Sequence, residues 1–299
     1  MACPPLVAVA HGSTDPRAGS AIADLIRLTR ARAEARGWPG LDARAAFLGH
    51  GLPSVAQVLG ALAGRPRDPG APERQAPGEA ARSHRVVVLP LLLTAAYHSG
   101  TDLPAALQQA QAAHPGLTIS YGEPLGPHPG LWRALDRRLA EAGQDGQDGR
   151  TAVVLAAAGS SQPAANAAVA RMAAGWQQAR GWRAVVPAYA SAAGPTPGQA
   201  VAALLRGGAP RVVVATYLLA PGLFADRIRD ASLAAGAAAV SGPLGAAPEV
   251  ADVLLQRYAE AWAAPLVQTS TVVQASTVVQ ASTVVHNSLA LVTRVSARS

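Results

Sequence analysis

The sequence contains no lysine and one cysteine, and it has no long uninterrupted apolar run. All 25 of its basic side chains are therefore arginines, set against 18 acids, for a net charge of +7. The arginines are scattered and form no basic stretch that could track a phosphate backbone, which argues against nucleic-acid binding. A dispersed set of guanidinium groups suits a ligand carrying several carboxylates, because the planar fork matches a carboxylate bidentately. With Cys3 alone, neither an internal disulfide nor a multi-thiolate zinc site can be built from one chain. That economy fits a reducing cytoplasm. No leader-like basic-then-apolar segment opens the chain, and no run approaches the roughly 20 apolar residues that a membrane span needs. The expectation is a cytoplasmic protein, neither secreted nor membrane-embedded. A composition that is 50% apolar over 299 residues excludes a wholly disordered chain.

Runs rich in Val, Leu and Ile alternate with Ala/Leu/Arg segments of helical period, the signature of a parallel sheet covered by helices. Strands are expected at 5–10, 43–48, 86–93 and 117–121, and again at 151–157, 183–189, 211–218 and 238–241. Helices are expected near 18–36, 53–63, 101–113 and 130–142, then 163–180, 197–206, 225–235 and 248–262. The second set repeats the first in residues as well as in pattern. "AHGSTDP" (10–16) matches "AAGSSQP" (157–163), "RVVVLPLLL" (85–93) matches "RVVVATYLL" (211–219), and "EPLGPHPGLWRAL" (123–135) matches "GPLGAAPEVADVL" (242–254). The chain thus divides into a first half, 1–142, a polar Gly-rich linker, 143–150, and a second half, 151–264. The first half carries a Pro/Gly-rich insert at 64–83 that reads as a mobile surface loop. Residues 265–299 repeat the hexad "STVVQA" and read as a disordered or sticky tail.

The second half proper also lacks histidine. The seven histidines stand at 11, 50, 84, 98, 114, 128 and 286. Matching the repeats sets Ala158 opposite His11, Phe224 opposite His98 and Ala247 opposite His128, while His50 falls opposite a Gly/Ala-rich loop near Gly194. One half therefore holds the chemistry and the other closes or supports the pocket. In an open parallel sheet, ligands bind outside the carboxyl ends of the strands. His11, His50, His98 and His128 follow strands one to four and should crowd that end. Neutral imidazoles ligate Fe²⁺, Co²⁺, Ni²⁺ and Zn²⁺ and accept protons near pH 7. His84 and His114 read as ordinary surface or turn histidines, and His128, between two prolines, can equally shape a turn.

"VAVAHGSTDPRAG" (7–19), followed by "VVVLPLLLTAAYHSGTDLP" (86–104), resembles the short-type class II tetrapyrrole chelatases, the sirohydrochlorin chelatase and cobaltochelatase family. The resemblance covers nearly all of 5–262 as two tandem copies. It implies an α/β fold of two chelatase-like, flavodoxin-like domains, each a four-stranded, mainly parallel sheet flanked by helices. It implies a lyase that inserts a divalent metal into the carboxylate-rich tetrapyrrole sirohydrochlorin without ATP. No tightly bound cofactor is implied, because the metal (Fe²⁺, Co²⁺ or Ni²⁺) is itself a substrate. Carried over by position, the two metal-handling histidines are His11 and His98. Asp102, four residues on, can orient His98 or open the helix expected there. Many members carry an acid in the loop after strand two, where this sequence has Gly49, and His50 can stand in as proton acceptor.

Ser13, Arg17 and His128 are the expected substrate contacts. Arg17 has no counterpart in the second half, where Ala164 stands, and can meet a substrate carboxylate. Fe²⁺ for siroheme synthesis is the preferred reading and Co²⁺ for cobalamin the alternative. A non-catalytic metal carrier or tetrapyrrole-binding protein is the reading of another class. A histidine phosphatase, which also places His-Gly after a first strand, needs an arginine before the histidine, and position 10 is Ala. Monomer and homodimer both remain open.

Overall fold

The computed structural model describes residues 3–64, 84–94, 97–144 and 149–264, with 84 and 97–102 described by their main chain only. The insert, the middle of the linker and the hexad tail lie outside the described residues.

Strands and helices alternate without exception. The first half runs β1 (Leu6–Ala10), α1 (Pro16–Ala35), β2 (Ala43–Phe47), α2 (Val55–Ala63), β3 (His84–Pro90), α3 (Tyr97–Ala113), β4 (Leu117–Tyr121) and α4 (Gly130–Glu141). The second runs β5 (Thr151–Ala157), α5 (Pro163–Arg180), β6 (Ala184–Tyr189), α6 (Pro197–Arg206), β7 (Arg211–Tyr217), α7 (Leu223–Ala234), β8 (Ala239–Val240) and α8 (Pro248–Ala263). Each half forms an all-parallel sheet, ordered β2-β1-β3-β4 and β6-β5-β7-β8. Leu6 pairs with Ala43 on one side and Val87 on the other, so the chain reverses its direction of travel between β1 and β3. In such doubly wound sheets the crevice opens at that reversal, outside the carboxyl ends of the two strands.

The strands are apolar throughout because both faces are covered. Alternate residues divide between two cores: Val7, Val9, Val86 and Val88 face α2 and α3, while Leu6, Ala8, Val87 and Leu89 face inward. The second sheet repeats the division, with Ala152 and Val154 toward α6 and α7, and Val153 and Leu155 inward. The two inward faces belong to one continuous core, so helices shared by both halves lie between the sheets.

That middle layer is exchanged. Helix α8 packs on α1, α4, β3 and β4 of the first half, while α4 packs on α8 and on β7 of the second. Polar contacts fix the exchange. The buried Tyr258 hydroxyl donates to the Pro4 carbonyl at 2.8 Å. Arg138 donates to the Leu244 carbonyl through Nε and Nη2 at 3.0 and 2.7 Å. Arg32 makes a two-pronged contact with Asp252 at 2.7 and 2.6 Å, and Asp136 of α4 accepts from Trp176 and Arg180 of α5.

Helix starts follow local chemistry. Asp15 caps α1 by accepting from the Arg17 amide at 2.9 Å, ahead of Pro16 at the first helical position. Ser54 with Gln57 and Thr196 with Gln199 form matched capping boxes at α2 and α6. Boundaries fall within three residues of expectation except at one, the start of α3. α3 begins at Tyr97, with Pro104 inside it, so Asp102 lies within the helix and does not open it. Pro104, the eighth residue of α3, has no amide to donate to the carbonyl one turn back, so the helix runs through it at the loss of one main-chain hydrogen bond.

Candidate active-site cleft

At the carboxyl ends of β1, β2, β3 and β7 lies a cleft of about 760 Å³. The first half contributes His11, Ser13, Phe47, His50 and Leu52 among others, and the second contributes Ala158 and the run Leu218–Ala225. The reversal points of the two sheets thus open into a single space, which brings His11 and His50 together as the repeat comparison anticipates.

Main-chain bonding continues past the strand ends to hold these histidines. The Leu48 amide donates to the Ala10 carbonyl at 3.1 Å, and the Gly49 amide to the His11 carbonyl at 3.0 Å. Gly12 stands at φ +93°, and a Cβ there would overlap the His50 carbonyl oxygen. The second half repeats the device: Ala190 and Ser191 amides donate to Ala157 and Ala158, and a Cβ on Gly159 would overlap the Ser191 carbonyl oxygen. The loops that follow also match, since Phe47 donates to Pro53 and Tyr189 to Pro195. This places Ala192 opposite His50. His11 and His50 are both exposed to the cleft side of this scaffold. A side chain in place of Gly49 would stand 3.3 Å from the His11 carbonyl oxygen.

The remaining expected residues are placed as follows. Ser13 lines the cleft, and its Oγ accepts from the Asp15 amide at 3.1 Å; Ser160 does the same for Gln162, so this contact is a turn that both halves need. Arg17 has partners other than the expected substrate. Its guanidinium is shared by Asp15 (2.6 Å) and, across the halves, Asp226 of α7 (2.7 Å). Hydrogen bonds from Arg17 hold both carboxyls below the ordinary aspartate range. Two neutralising carboxylates leave it little attraction for a third. His128 is not among the cleft residues. Its Nδ1 accepts from the Gly130 amide at 3.0 Å, and burial, with Arg257 nearby, pushes its imidazole below the usual range. It serves the turn before α4. His114 lies against Gly60 of α2.

His98 falls in the first turn of α3, after β3, whose continuation contributes Leu91 and Leu92 to the cleft. Its side chain and that of Asp102 lie outside the described residues. The segment leading there is gripped from the other half: the fully buried Tyr217 of β7 donates its hydroxyl to the Leu93 carbonyl at 3.0 Å. Burial pushes this hydroxyl's pKa far up, so it stays a donor. Gly126 is required beside it, because a Cβ there would come within 2.6 Å of both the Tyr217 hydroxyl and the Leu93 carbonyl oxygen. Neither the Tyr217 contact nor the Arg17–Asp226 pair has any signal in the sequence, since each joins residues more than a hundred positions apart. Among the described residues, no three His, Cys, Asp or Glu side chains converge as a closed metal cage would require.

The fold and site together define a two-lobed α/β protein with imidazoles from one lobe at a shared switch-point cleft. The chain belongs to the CbiX family, whose model matches residues 5–142 and again 152–261. It is 30% identical over 149 residues to a sirohydrochlorin cobaltochelatase of Priestia megaterium, covering 48% of each chain. It is 29% identical over 143 residues to a sirohydrochlorin ferrochelatase of Bacillus subtilis (strain 168), covering 48% of this chain and 54% of that one. The alignments thus span about half the length of these curated relatives. The fold is shared with SirB from Bacillus subtilis with Fe³⁺, at a TM-score of 0.69 and 23% identity, over 87% of this chain and 96% of that one. It is shared too with CbiX, the terminal enzyme of siroheme biosynthesis in denitrifying bacteria, at a TM-score of 0.57 and 18% identity, over 86% and 98% of the two chains.

Proposed function

We propose that the protein is a sirohydrochlorin chelatase, a lyase that inserts a divalent metal into sirohydrochlorin without ATP, with Fe²⁺ the preferred ion. The observation that carries this reading is the placement of His11 at the end of β1, inside a cleft that both CbiX-like halves line. Insertion needs a metal held with open coordination positions and acceptors for the two pyrrole protons that the metal displaces. An imidazole pair, His11 with His98, holds an ion loosely enough to surrender it to the macrocycle. His50, beside His11 and where many relatives place an acid one residue earlier, is the proposed proton acceptor. Ser13 and His128 keep structural roles in this reading. Both halves of one chain line the cleft, which supports a monomer as the working form, with a homodimer the other reading. No helix among the described residues is long and apolar enough to cross a membrane, and the working place proposed is the cytoplasm.

Insertion of Co²⁺ is the second reading, supported by the likeness to the Priestia megaterium cobaltochelatase. Fe²⁺, Co²⁺ and Ni²⁺ share a liking for imidazole, so the ions must be compared directly. Purified protein mixed anaerobically with sirohydrochlorin and each ion in turn should accelerate the absorption change of insertion, most with Fe²⁺. Acceleration with Co²⁺ alone would move the protein to the cobalamin reading. Metal and tetrapyrrole binding without acceleration by any ion would make it a carrier.

A further inference from the structure

Four large apolar side chains are exposed among the described residues, and three of them line the cleft: Leu52 at 78%, Leu223 at 62% and Phe224 at 39%. The fourth, Leu233 at 49%, lies on the same helix as Leu223 but away from it. Exposed apolar groups gathered in one place mark a surface that meets something, and a concave space of about 760 Å³ is of the size that takes a small molecule. Two of the three come from the half without imidazoles. Phe224 holds the repeat position that His98 holds in the first half, so the same place in the module carries a ring with no ligating nitrogen.

The position of these two side chains is fixed from across the molecule. They occupy the first turn of α7 together with Asp226. Arg17 donates to both oxygens of Asp226, at 3.3 and 2.7 Å, and to Asp15, which caps α1 four residues after His11. A continuous path therefore runs from the His11 loop through Asp15, Arg17 and Asp226 to Leu223 and Phe224.

We infer that Leu223 and Phe224 form an apolar wall that takes the flat ring face of the tetrapyrrole, and that Arg17 and Asp226 are positioning residues that set this wall against His11. In this arrangement the first half handles the metal and the second holds the ring. This inference rests on the tetrapyrrole reading of the cleft, and direct binding separates the two. The full chain is titrated anaerobically with metal-free sirohydrochlorin, following its absorption and fluorescence, and insertion is then measured while metal or tetrapyrrole is varied.

The Leu223→Ala/Phe224→Ala variant should bind sirohydrochlorin about tenfold more weakly, the loss expected for removing partly buried apolar contacts. Its half-saturating metal concentration should not move. Asp226→Asn should raise the KM for sirohydrochlorin several-fold, again without shifting the metal dependence, and Asp226→Glu should restore part of the loss. Leu233→Ala, matched in exposure and helix, should leave the titration unchanged. Undiminished affinity in the double variant, or an effect on metal dependence in place of tetrapyrrole binding, would overturn the wall. So would a wild-type chain that does not bind sirohydrochlorin. A wild-type chain that binds it without insertion would overturn the chelatase reading while leaving the wall standing on the titration.

Discussion

Gly12 and Gly159 stand at the same place in the two halves, each where a neighbouring carbonyl oxygen leaves no room for a Cβ. Their neighbours His11 and Ala158 differ, and that contrast makes the candidate site legible: what both halves keep is scaffold, and what only one half carries is where the proposed chemistry lies. Gly12→Ala should therefore damage the loop that holds both histidines. Its cost is of the order of 1–3 kcal/mol in thermal unfolding, from positive φ combined with steric overlap, and insertion should fall with it. His11→Ala is a different test, because the imidazole is exposed at the cleft and Ala158 stands at the equivalent place in the matching turn of the second half. It should keep the melting temperature within a few degrees and lower insertion by about a hundredfold or more, the lower range for a positioned catalytic side chain. Near-normal insertion in folded His11→Ala would remove this residue from the chemistry. Residue-by-residue matching also has a blind side. It offers Arg17 to a substrate carboxylate because Ala164 stands opposite, and gives no sign of Asp226, its ion-pair partner 209 positions away.

At the scale of elements, the periodicity locates every strand and helix among the described residues, because strands buried on both faces read as unbroken Val/Leu runs and helices as Ala/Leu/Arg segments. What it missed was how elements of different halves grip each other. Tyr217 of β7 is one such grip, holding the Leu93 carbonyl that precedes α3 and His98. Tyr217→Phe removes the donor and leaves a partly buried carbonyl without its partner, at a cost of roughly 1 kcal/mol. The expected result is a lower melting temperature together with slower insertion. A loss of stability with insertion unaffected would show that this grip does not reach the site. The Arg17 clamp should respond to solvent differently. Because Arg17 lowers the pKa of Asp15 and Asp226, its contribution is complete above the ordinary aspartate value of about 4 and is lost only as the pH falls through the lowered values. Tetrapyrrole affinity should thus show no step from the clamp between pH 6 and 8. Added salt should weaken it throughout that range, since Arg17 is about half exposed and both carboxylates are partly open to water.

For the whole molecule, the sequence declared a duplication but not its consequence. An amphipathic helix shows the same apolar stripe whether it covers its own sheet or its neighbour's, so nothing in the repeats could reveal that α8 lies on β3 and α4 on β7. The exchange makes the two halves mutually dependent. Removing residues 143–299 would strip α8 from α1, α4, β3 and β4, exposing the inward Leu6, Ala8, Val87 and Leu89 face of the first sheet. It would also leave α4 without the sheet it covers. Residues 1–142, which carry all the candidate metal-handling histidines, should therefore fail to give a cooperative melt or a sharp near-ultraviolet circular dichroism spectrum alone. Co-expression with 149–299 should restore both, together with insertion, because the buried Tyr258–Pro4 contact and the Arg32–Asp252 pair re-form across the break. A first half that folds and inserts metal unaided would show that the shared layer only encloses a module already complete, and would take the second half out of the reaction.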